Sequence, residues 1–217
     1  MKQSATLDFR LLFITDRTLS PAPLSERVRE ACEAGVRAVQ LREKDLPGRE
    51  LFELATRLRE ETARHGAALF VNDRLDIALA TGADGVHCPE NGFSPDVAAR
   101  VIKAAAAGEA KQTVGASVHS PAGALRAQEQ GADFITFGPV FATPSKAAWG
   151  EPQGLDALEL VCRRVDLPVF AVGGVTVERA AACLERGAAG VAVISVVMTA
   201  PDVACAVAAF ESALGTL

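Results

Sequence analysis

Two cations and an amide stand close together early in the chain, in Gln40-Leu41-Arg42-Glu43-Lys44. The group follows a short β-branched run, and strand alternation places Gln40 and Arg42 on the same side. An inward amide and guanidinium at the end of a buried strand are costly without an anionic partner. Lys44 adds a second cation just beyond them. The pattern predicts an anion-binding rim; a solvated loop with an internal salt bridge to Glu43 is the open alternative.

The long loop between residues 137 and 154 carries a second group of this kind. Thr143 and Ser145 supply hydroxyl donors, and Lys146 follows them with a positive charge. Hydroxyls that orient diphosphate oxygens, followed by a lysine that meets developing negative charge, suit phosphate chemistry. We therefore predict a lid that brings Lys146 to the site, and a Pro-rich surface loop is the alternative.

Single polar residues follow three other short apolar runs. Asn72 offers an amide, and Asp73 could either hold Mg²⁺ or cap the short helix after it. Ser117 and His119 share one side by alternation, and a histidine at this position is a candidate for proton transfer, with a capping or structural role as the alternative. His87 is predicted to be a packed, hydrogen-bonding residue rather than a catalytic one.

A recurring sequence motif indicates the helices and strands that must position these residues. AGVRAVQLR at 34–42, TGADGVHC at 81–88, QGADFITFG at 130–138 and RGAAGVAVIS at 186–195 each pass from a helix through glycine into a buried strand. Such units are typical of parallel strands that carry chemistry in the loops after them. Strands are predicted at 11–15, 37–42, 67–71, 85–88, 113–117, 133–138, 168–172 and 190–195.

Stretches with helical spacing separate these strands, at 24–34, 49–65, 75–80, 94–107, 121–130, 155–165, 177–186 and 203–214. Eight strands alternating with eight helices predict an α/β fold, a single-domain (β/α)₈ TIM barrel over residues 1–217 with residues 1–10 as an N-terminal extension. A doubly wound open sheet is the alternative. The barrel places the site at the C-terminal ends of its strands.

Glycines and small residues end the last two strands. Gly173 and Gly174 allow backbone N–H groups to approach a ligand closely, and Ile194 and Ser195 end the eighth strand. Loops after strands 7 and 8 of such barrels commonly bind phosphate, and the dipole of the helix that follows adds to the attraction. We predict a phosphate site at these two turns.

Composition narrows the class of protein. The 217 residues carry a net charge of −5, which argues against a broad nucleic-acid surface. The five cysteines are dispersed and never in CxxC spacing, which favours reduced core thiols. The start lacks the basic-then-apolar pattern of a signal peptide, and the longest apolar stretch, 187–200, is too short to span a bilayer. We expect a cytoplasmic protein with no nucleic-acid or membrane partner.

Taken together, QLREK, NDR, GASVHS, GPVFATPSK, VGGV and VIS resemble the thiamine phosphate synthase family and its relatives, the thiazole tautomerases. The resemblance runs from about Leu11 to Ser195. It implies a transferase of thiamine biosynthesis that joins hydroxymethylpyrimidine diphosphate to thiazole phosphate, releases diphosphate and uses Mg²⁺. Relatives often pair, so a homodimer stays open.

The resemblance also implies roles for individual residues. Asp73 would be a Mg²⁺ ligand, and Ser117 would lie near the pyrimidine. The pyrimidine diphosphate would be held by Gln40, Arg42, Lys44, Asn72 and Lys146. The thiazole end would be met by Thr143 and Ser145 and by backbone groups of Gly173, Gly174, Ile194 and Ser195. The catalytic set is Lys146, Arg42, Ser117 and His119.

One segment departs from the synthase pattern. Synthases usually carry a second metal-binding Asp where this chain has Gly92, and a Gln where it has Glu90. Glu90 or Asn91 is an alternative source of that oxygen ligand. The missing Asp and the SVHS stretch favour a metal-free thiazole tautomerase with His119 as proton shuttle, whereas the retained diphosphate set favours the synthase. A non-catalytic phosphate-binding relative is the third alternative.

Overall fold

The computed structural model describes residues 7–105, 112–143 and 151–215. Over these ranges eight parallel strands pair in chain order and close into a barrel. They are β1 Leu11–Ile14, β2 Ala38–Leu41, β3 Ala68–Asn72, β4 Gly85–Cys88, β5 Thr113–Val118, β6 Phe134–Phe137, β7 Val169–Val172 and β8 Gly190–Val193. The barrel confirms the predicted fold, and the open sheet is wrong.

The helices lie outside the barrel between the strands. They are α1 Leu24–Glu33, α2 Gly48–Arg64, α3 Leu75–Thr81, α4 Pro95–Ala105, α5 Pro121–Glu129, α6 Gly154–Arg164, α7 Val177–Glu185, α8 Ser195–Met198 and α9 Val203–Leu214. Residues 106 and 107, predicted to end the fourth helix, lie outside the described residues. None of the helices in the described parts of the chain is both long and apolar enough to span a membrane.

Glycine provides the turn from helix to strand that the sequence predicts. Gly82 ends α3 in the left-handed region, with a φ of 63°. The N–H of the next residue, Ala83, then bonds back to the carbonyl of Ala78 at 3.0 Å, which closes the helix and directs the chain into β4. Gly131 plays the same part after α5, with a φ of 80°.

Aromatic rings fill the half of the barrel nearer the N-terminal ends of its strands. The rings of Phe9, Phe70, Phe134 and Phe170 lie 5.1–6.1 Å apart, centroid to centroid. Phe9 belongs to the predicted N-terminal extension, so the end of that segment is part of the core. Gly115 of β5 makes room for these rings, because a Cβ there would lie 2.4 Å from the Phe134 ring. The inside of the barrel is therefore filled with side chains at this level.

Candidate functional site

Polar side chains replace the aromatic ones at the next level towards the C-terminal ends of the strands. Asn72 is in register with His87, and Ser117 with Thr136. Nε2 of His87 lies 3.0 Å from Oγ of Ser117 and 3.2 Å from Oγ1 of Thr136. On the two preceding strands, β2 and β3, Nε2 of Gln40 donates to Oδ1 of Asn72 at 3.1 Å. We call these five residues the polar floor.

His87 is neutral at physiological pH. Its side chain is fully buried, and burial, together with the positive charge of Arg42, lowers its pKa to about 3. The structure thus places His87 as the sequence predicts, as a packed residue that hydrogen-bonds to its neighbours. Among the described residues, Nδ1 of His87 and Oε1 of Gln40 are buried without a hydrogen-bond partner.

A cavity of about 690 Å³ opens between the loops after β1, β2, β6, β7 and β8. This volume is within the range of small-molecule sites. The predicted anion-binding residues on these separate loops share this cavity: it is lined by Arg42, Lys44, Thr143, Gly173, Gly174, Ile194 and Ser195. Side chains from β2 and backbone turns from β7 and β8 therefore face the same space.

A buried carboxylate fixes the cationic side of the cavity. Glu43, which is 5% exposed, accepts hydrogen bonds from Oγ1 of Thr15 at 2.7 Å and from the backbone N–H of Arg17 at 3.1 Å. Oγ1 of Thr15 in turn accepts from the backbone N–H of Arg42 at 3.0 Å. Glu43 also forms a salt bridge with Arg17 at 3.3 Å. This partner belongs to the loop after β1, so Glu43 is not the solvated residue of an internally bridged loop, and the contact secures the loop that carries Arg42.

Asp73 lies at the edge between β3 and β4. Its φ of 65° is left-handed, and its N–H donates to the carbonyl of His87 at 2.9 Å. It does not cap α3: the cap residue is Arg74, which makes no side-chain capping bond. Its carboxylate faces the loop after β4, because a Cβ on Gly92 would lie 2.7 Å from Oδ1 of Asp73. The two positions that matter for a metal are thus neighbours, and one of them has no side chain.

Glu90 contacts the first turn of α5 and the rim. Its Oε2 lies 4.0 Å from Nε2 of His119, and its Oε1 lies 3.8 Å from Arg126 and 2.8 Å from where a Cβ on Gly123 would be. No group of three or more His, Cys, Asp and Glu side chains able to hold a metal occurs within the described ranges. The contacts of Glu90 are thus to the His119 and Arg126 side of the rim, whereas Asp73 is the carboxylate beside Gly92.

His119 lies on the rim, outside the polar floor that holds Ser117. Its Nδ1 is hydrogen-bonded to the carbonyl of Gly138, and its side chain is 45% exposed. Alternation brings both residues to the same end of β5, but at different depths. Ser145 and Lys146, together with the rest of 144–150, lie outside the described residues, so their predicted roles stay predictions.

Sequence reasoning did not identify Arg179 as a site residue. Arg179 lines the same cavity; its Nη1 donates to the carbonyl of Gly174 at 2.8 Å, and its guanidinium lies 4.8 Å from the centroid of the Phe141 ring. Gly173 and Gly174 have φ values of 91° and 65°. A Cβ on Gly173 would lie 2.6 Å from Cα of Pro139, so the turn is closely packed against the loop after β6. The only feature of the sequence that could have indicated Arg179 is its position, a positively charged residue in the first turn of the helix that follows Gly173 and Gly174.

Comparison with known proteins agrees with this geometry. The family model described as thiamine monophosphate synthase matches residues 11–197. The chain belongs to this family. A relative from Geobacter sulfurreducens is 49% identical over 199 residues, which are 91% of each chain. The thiamine-phosphate synthase of Roseiflexus castenholzii is 42% identical over 190 residues, 87% of this chain and 81% of that one.

Among solved structures, the thiamine phosphate pyrophosphorylase from Pyrococcus furiosus is 39% identical and superposes with a TM-score of 0.83 over 94% of this chain and 95% of that one. These matches confirm the family and the enzyme type predicted from the motifs, a transferase of thiamine biosynthesis. They do not test the roles of single residues.

Proposed function

We propose that this protein joins hydroxymethylpyrimidine diphosphate to thiazole phosphate and releases diphosphate, with Arg42 and Lys44 on the diphosphate and the Gly173–Gly174 turn on the thiazole phosphate. The observation that carries the proposal is the shared cavity: Arg42 and Lys44 of the β2 loop, the Gly173–Gly174 turn and the start of α8 all line one space. Two phosphorylated small molecules need such an arrangement.

The chemistry is ionisation followed by capture. Diphosphate leaves the pyrimidine methylene, and the thiazole nitrogen attacks the resulting cation. Arg42 and Lys44 stabilise the negative charge that develops on the leaving group, and the cavity holds the two reactants in line. Since these groups bind and orient rather than react covalently, their positions decide the rate, and Glu43 fixes the loop of Arg42 for this purpose.

A neutral floor suits this reaction. A pKa of about 3 keeps His87 uncharged, so it does not repel a pyrimidine cation above it. Because Nδ1 of His87 has no partner among the described residues, we infer that it carries the lone pair and that Nε2–H donates to Ser117. Thr136 also donates to Oγ of Ser117, at 3.3 Å. The hydroxyl proton of Ser117 is then available to a ring nitrogen of the substrate.

Mg²⁺ fits this site with one protein carboxylate. It is commonly bound through one or two carboxylates plus substrate phosphate oxygens and water. Asp73 supplies that carboxylate, and Gly92 beside it supplies none. When bound, the cation would neutralise charge on the diphosphate. The protein's own part is to hold Asp73 just after β3, with its carboxylate beside Gly92.

The tautomerase alternative is favoured by one observation. His119 is half-exposed on the rim, with Nδ1 held by the carbonyl of Gly138 and Nε2 at 4.0 Å from Glu90. A histidine oriented on one nitrogen and facing a carboxylate with the other is suited to moving a proton. The glycine at position 92, where synthases usually carry a second metal-binding Asp, also favours the tautomerase. The diphosphate-binding residues Arg42 and Lys44 have no part in that reaction.

The deciding assay supplies both synthase substrates with Mg²⁺ and measures thiamine phosphate and diphosphate, with EDTA as the parallel arm. Equal amounts of both products, lost in EDTA, support the synthase. A separate arm supplies the thiazole carboxylate phosphate, and its isomerisation in EDTA, without formation of thiamine phosphate in the first arm, supports the tautomerase. Binding of both substrates with neither product supports a non-catalytic relative.

We further propose a cytoplasmic location, with these two small molecules as partners and no nucleic-acid or membrane partner. The net charge of −5 agrees with this. Burial raises the pKa of the Cys32 thiol to about 12 and that of Cys183 to about 11, as expected of inert core thiols. A homodimer is compatible with this function, and light scattering at two concentrations tests it.

A further inference from the structure

Arg179 is an exposed residue at the edge of the cavity, and two contacts orient its side chain. It is the third residue of α7, and side chains in the first turn of a helix lean back towards its N-terminus, here over the Gly173–Gly174 turn. The carbonyl of Gly174 takes one N–H at 2.8 Å, and the ring of Phe141 supports the guanidinium at 4.8 Å. A guanidinium has five N–H donors. These contacts therefore orient the side chain and leave further N–H donors for a ligand.

The cations of the cavity form two separate groups. Arg42 and Lys44 follow β2, whereas Arg179 follows β7, which is three strands away around the barrel through β8 and β1. All three residues line the same cavity. Two separated groups of positive charge match a ligand pair with two separate anionic groups, a diphosphate and a monophosphate.

Two acidic residues lie near this end of the cavity, and each already has a hydrogen-bond donor. Asp16 lines the cavity and accepts from the backbone N–H and Oγ1 of Thr18, at 3.2 and 2.6 Å. Glu178 is exposed, and a hydrogen bond from the side chain of Thr176 is the main reason that its pKa is lowered. Within the described ranges, the side chain of Arg179 donates its hydrogen bond to a neutral carbonyl, and its charge also helps to lower the pKa of Glu178. Among the described residues, Arg179 therefore forms no bidentate salt bridge with a carboxylate.

We propose that Arg179 binds the phosphate of the thiazole substrate and makes the β7 end of the cavity selective for a phosphorylated acceptor. The proposal rests on the proposed function and adds a specificity-determining residue to it. A fork of N–H donors beside backbone N–H groups of a glycine turn is a strong arrangement for a phosphate monoester. The competing explanation is that Arg179 only clamps the Gly174 carbonyl to Phe141 and acts on the turn.

Kinetics with two acceptors separate these explanations. Arg179→Ala should lower kcat/KM for thiazole phosphate by about 10- to 100-fold, the size expected for losing a charged hydrogen bond, and leave the KM for the pyrimidine diphosphate within about twofold. With the thiazole alcohol, which has no phosphate, wild type and variant should differ by less than about threefold. Arg179→Lys should restore part of the loss, because it keeps the charge but not the fork.

Two controls keep the result specific. Phe141→Leu removes the supporting ring and keeps the cation, so a pure clamp predicts a loss as large as that of Arg179→Ala. Arg100→Ala removes an equal charge from α4, where the side chain is 73% exposed, and should change nothing. Equal losses with the phosphate and the alcohol, or equal losses in Phe141→Leu and Arg179→Ala, would overturn the proposal.

Titration with inorganic phosphate, followed by calorimetry, tests Arg179 without turnover. Wild type should bind phosphate at least about tenfold more tightly than Arg179→Ala. If wild type makes no thiamine phosphate but this difference is found, the proposed function fails and the role of Arg179 stands. If turnover is normal and the variants bind phosphate equally, the role of Arg179 fails alone.

Discussion

Gly92→Asp should strengthen the binding of a divalent cation to the free protein beside Asp73. A Cβ at position 92 would lie 2.7 Å from Oδ1 of Asp73 and 2.8 Å from Cγ of Pro89. The carboxylate of Asp73 can rotate away from this contact, whereas the proline ring must shift by a few tenths of an ångström. The result is two carboxylates side by side at the ends of β3 and β4.

The size of the effect follows from linkage between binding and folding. A dissociation constant of about 1 mM is at the weak end of oxygen-ligand sites. At about 10 mM cation such a site stabilises the folded state by about 1.4 kcal/mol, and a tenfold weaker single-carboxylate site by about 0.4 kcal/mol. For a chain of this size, each kcal/mol raises Tm by about 2–4 °C. We therefore expect a rise of about 3–6 °C in Gly92→Asp and about 1 °C in the natural chain.

The assay is thermal unfolding in EDTA and in about 10 mM MgCl₂ or MnCl₂, without diphosphate. Gly92→Ala is the matched control, because it adds the same Cβ without a carboxylate. In EDTA the Asp variant should melt below the Ala variant, since two adjacent carboxylates repel each other. A natural chain whose Tm already rises by several degrees with the cation, or an Asp variant that responds no more than the Ala variant, would refute the one-carboxylate reasoning.

Three further predictions concern the rim, its support and the floor. Lys146→Ala should lower synthase kcat by about 100-fold or more, with Lys103→Ala as a surface control; unchanged turnover would remove Lys146 from the mechanism. Glu43→Gln should cost about 1.5–3 kcal/mol in urea unfolding, against less than about 1 kcal/mol for the exposed Asp45→Asn. His87 binds its proton more weakly in the folded chain, with a pKa of about 3 against 6.5, so stability should be complete above pH 6.5 and fall by up to about 1.4 kcal/mol per pH unit below it; His87→Gln should flatten the unfolding midpoint between pH 7 and 5.

The barrel was predictable because the residues within each repeat show where its helix ends and its strand begins. A glycine after an amphipathic helix indicates that the helix ends there in a left-handed turn. The short apolar run that follows the glycine is then predicted to be a buried strand. Gly82 and Gly131 show this directly. The short helix Ser195–Met198 and the 3₁₀ turn Arg17–Leu19 were missed, since three or four residues cannot display a helical period.

The common location of the residues predicted to bind anions followed from the sequence for a related reason. In a parallel barrel every residue that follows a strand is at the same end, so Arg42 and the Gly173–Gly174 turn had to share a rim. The residues that hold them there were not predictable. Glu43 reaches Thr15 across 28 positions of sequence, and Arg179 meets Phe141 from the neighbouring repeat. Such contacts depend on which loops become neighbours.

The depth of the site is set by the core rather than by the rim. The ring of His87 lies 5.6 Å from that of Phe134, and a Cβ on Gly115 would lie 2.5 Å from Nδ1 of His87. His87 therefore cannot sink further, and the phenylalanines below it cannot rise. In the proposed reaction, a flat ring that entered the barrel could not pass this layer. The packing of the phenylalanine rings thus sets the lower limit of the polar floor.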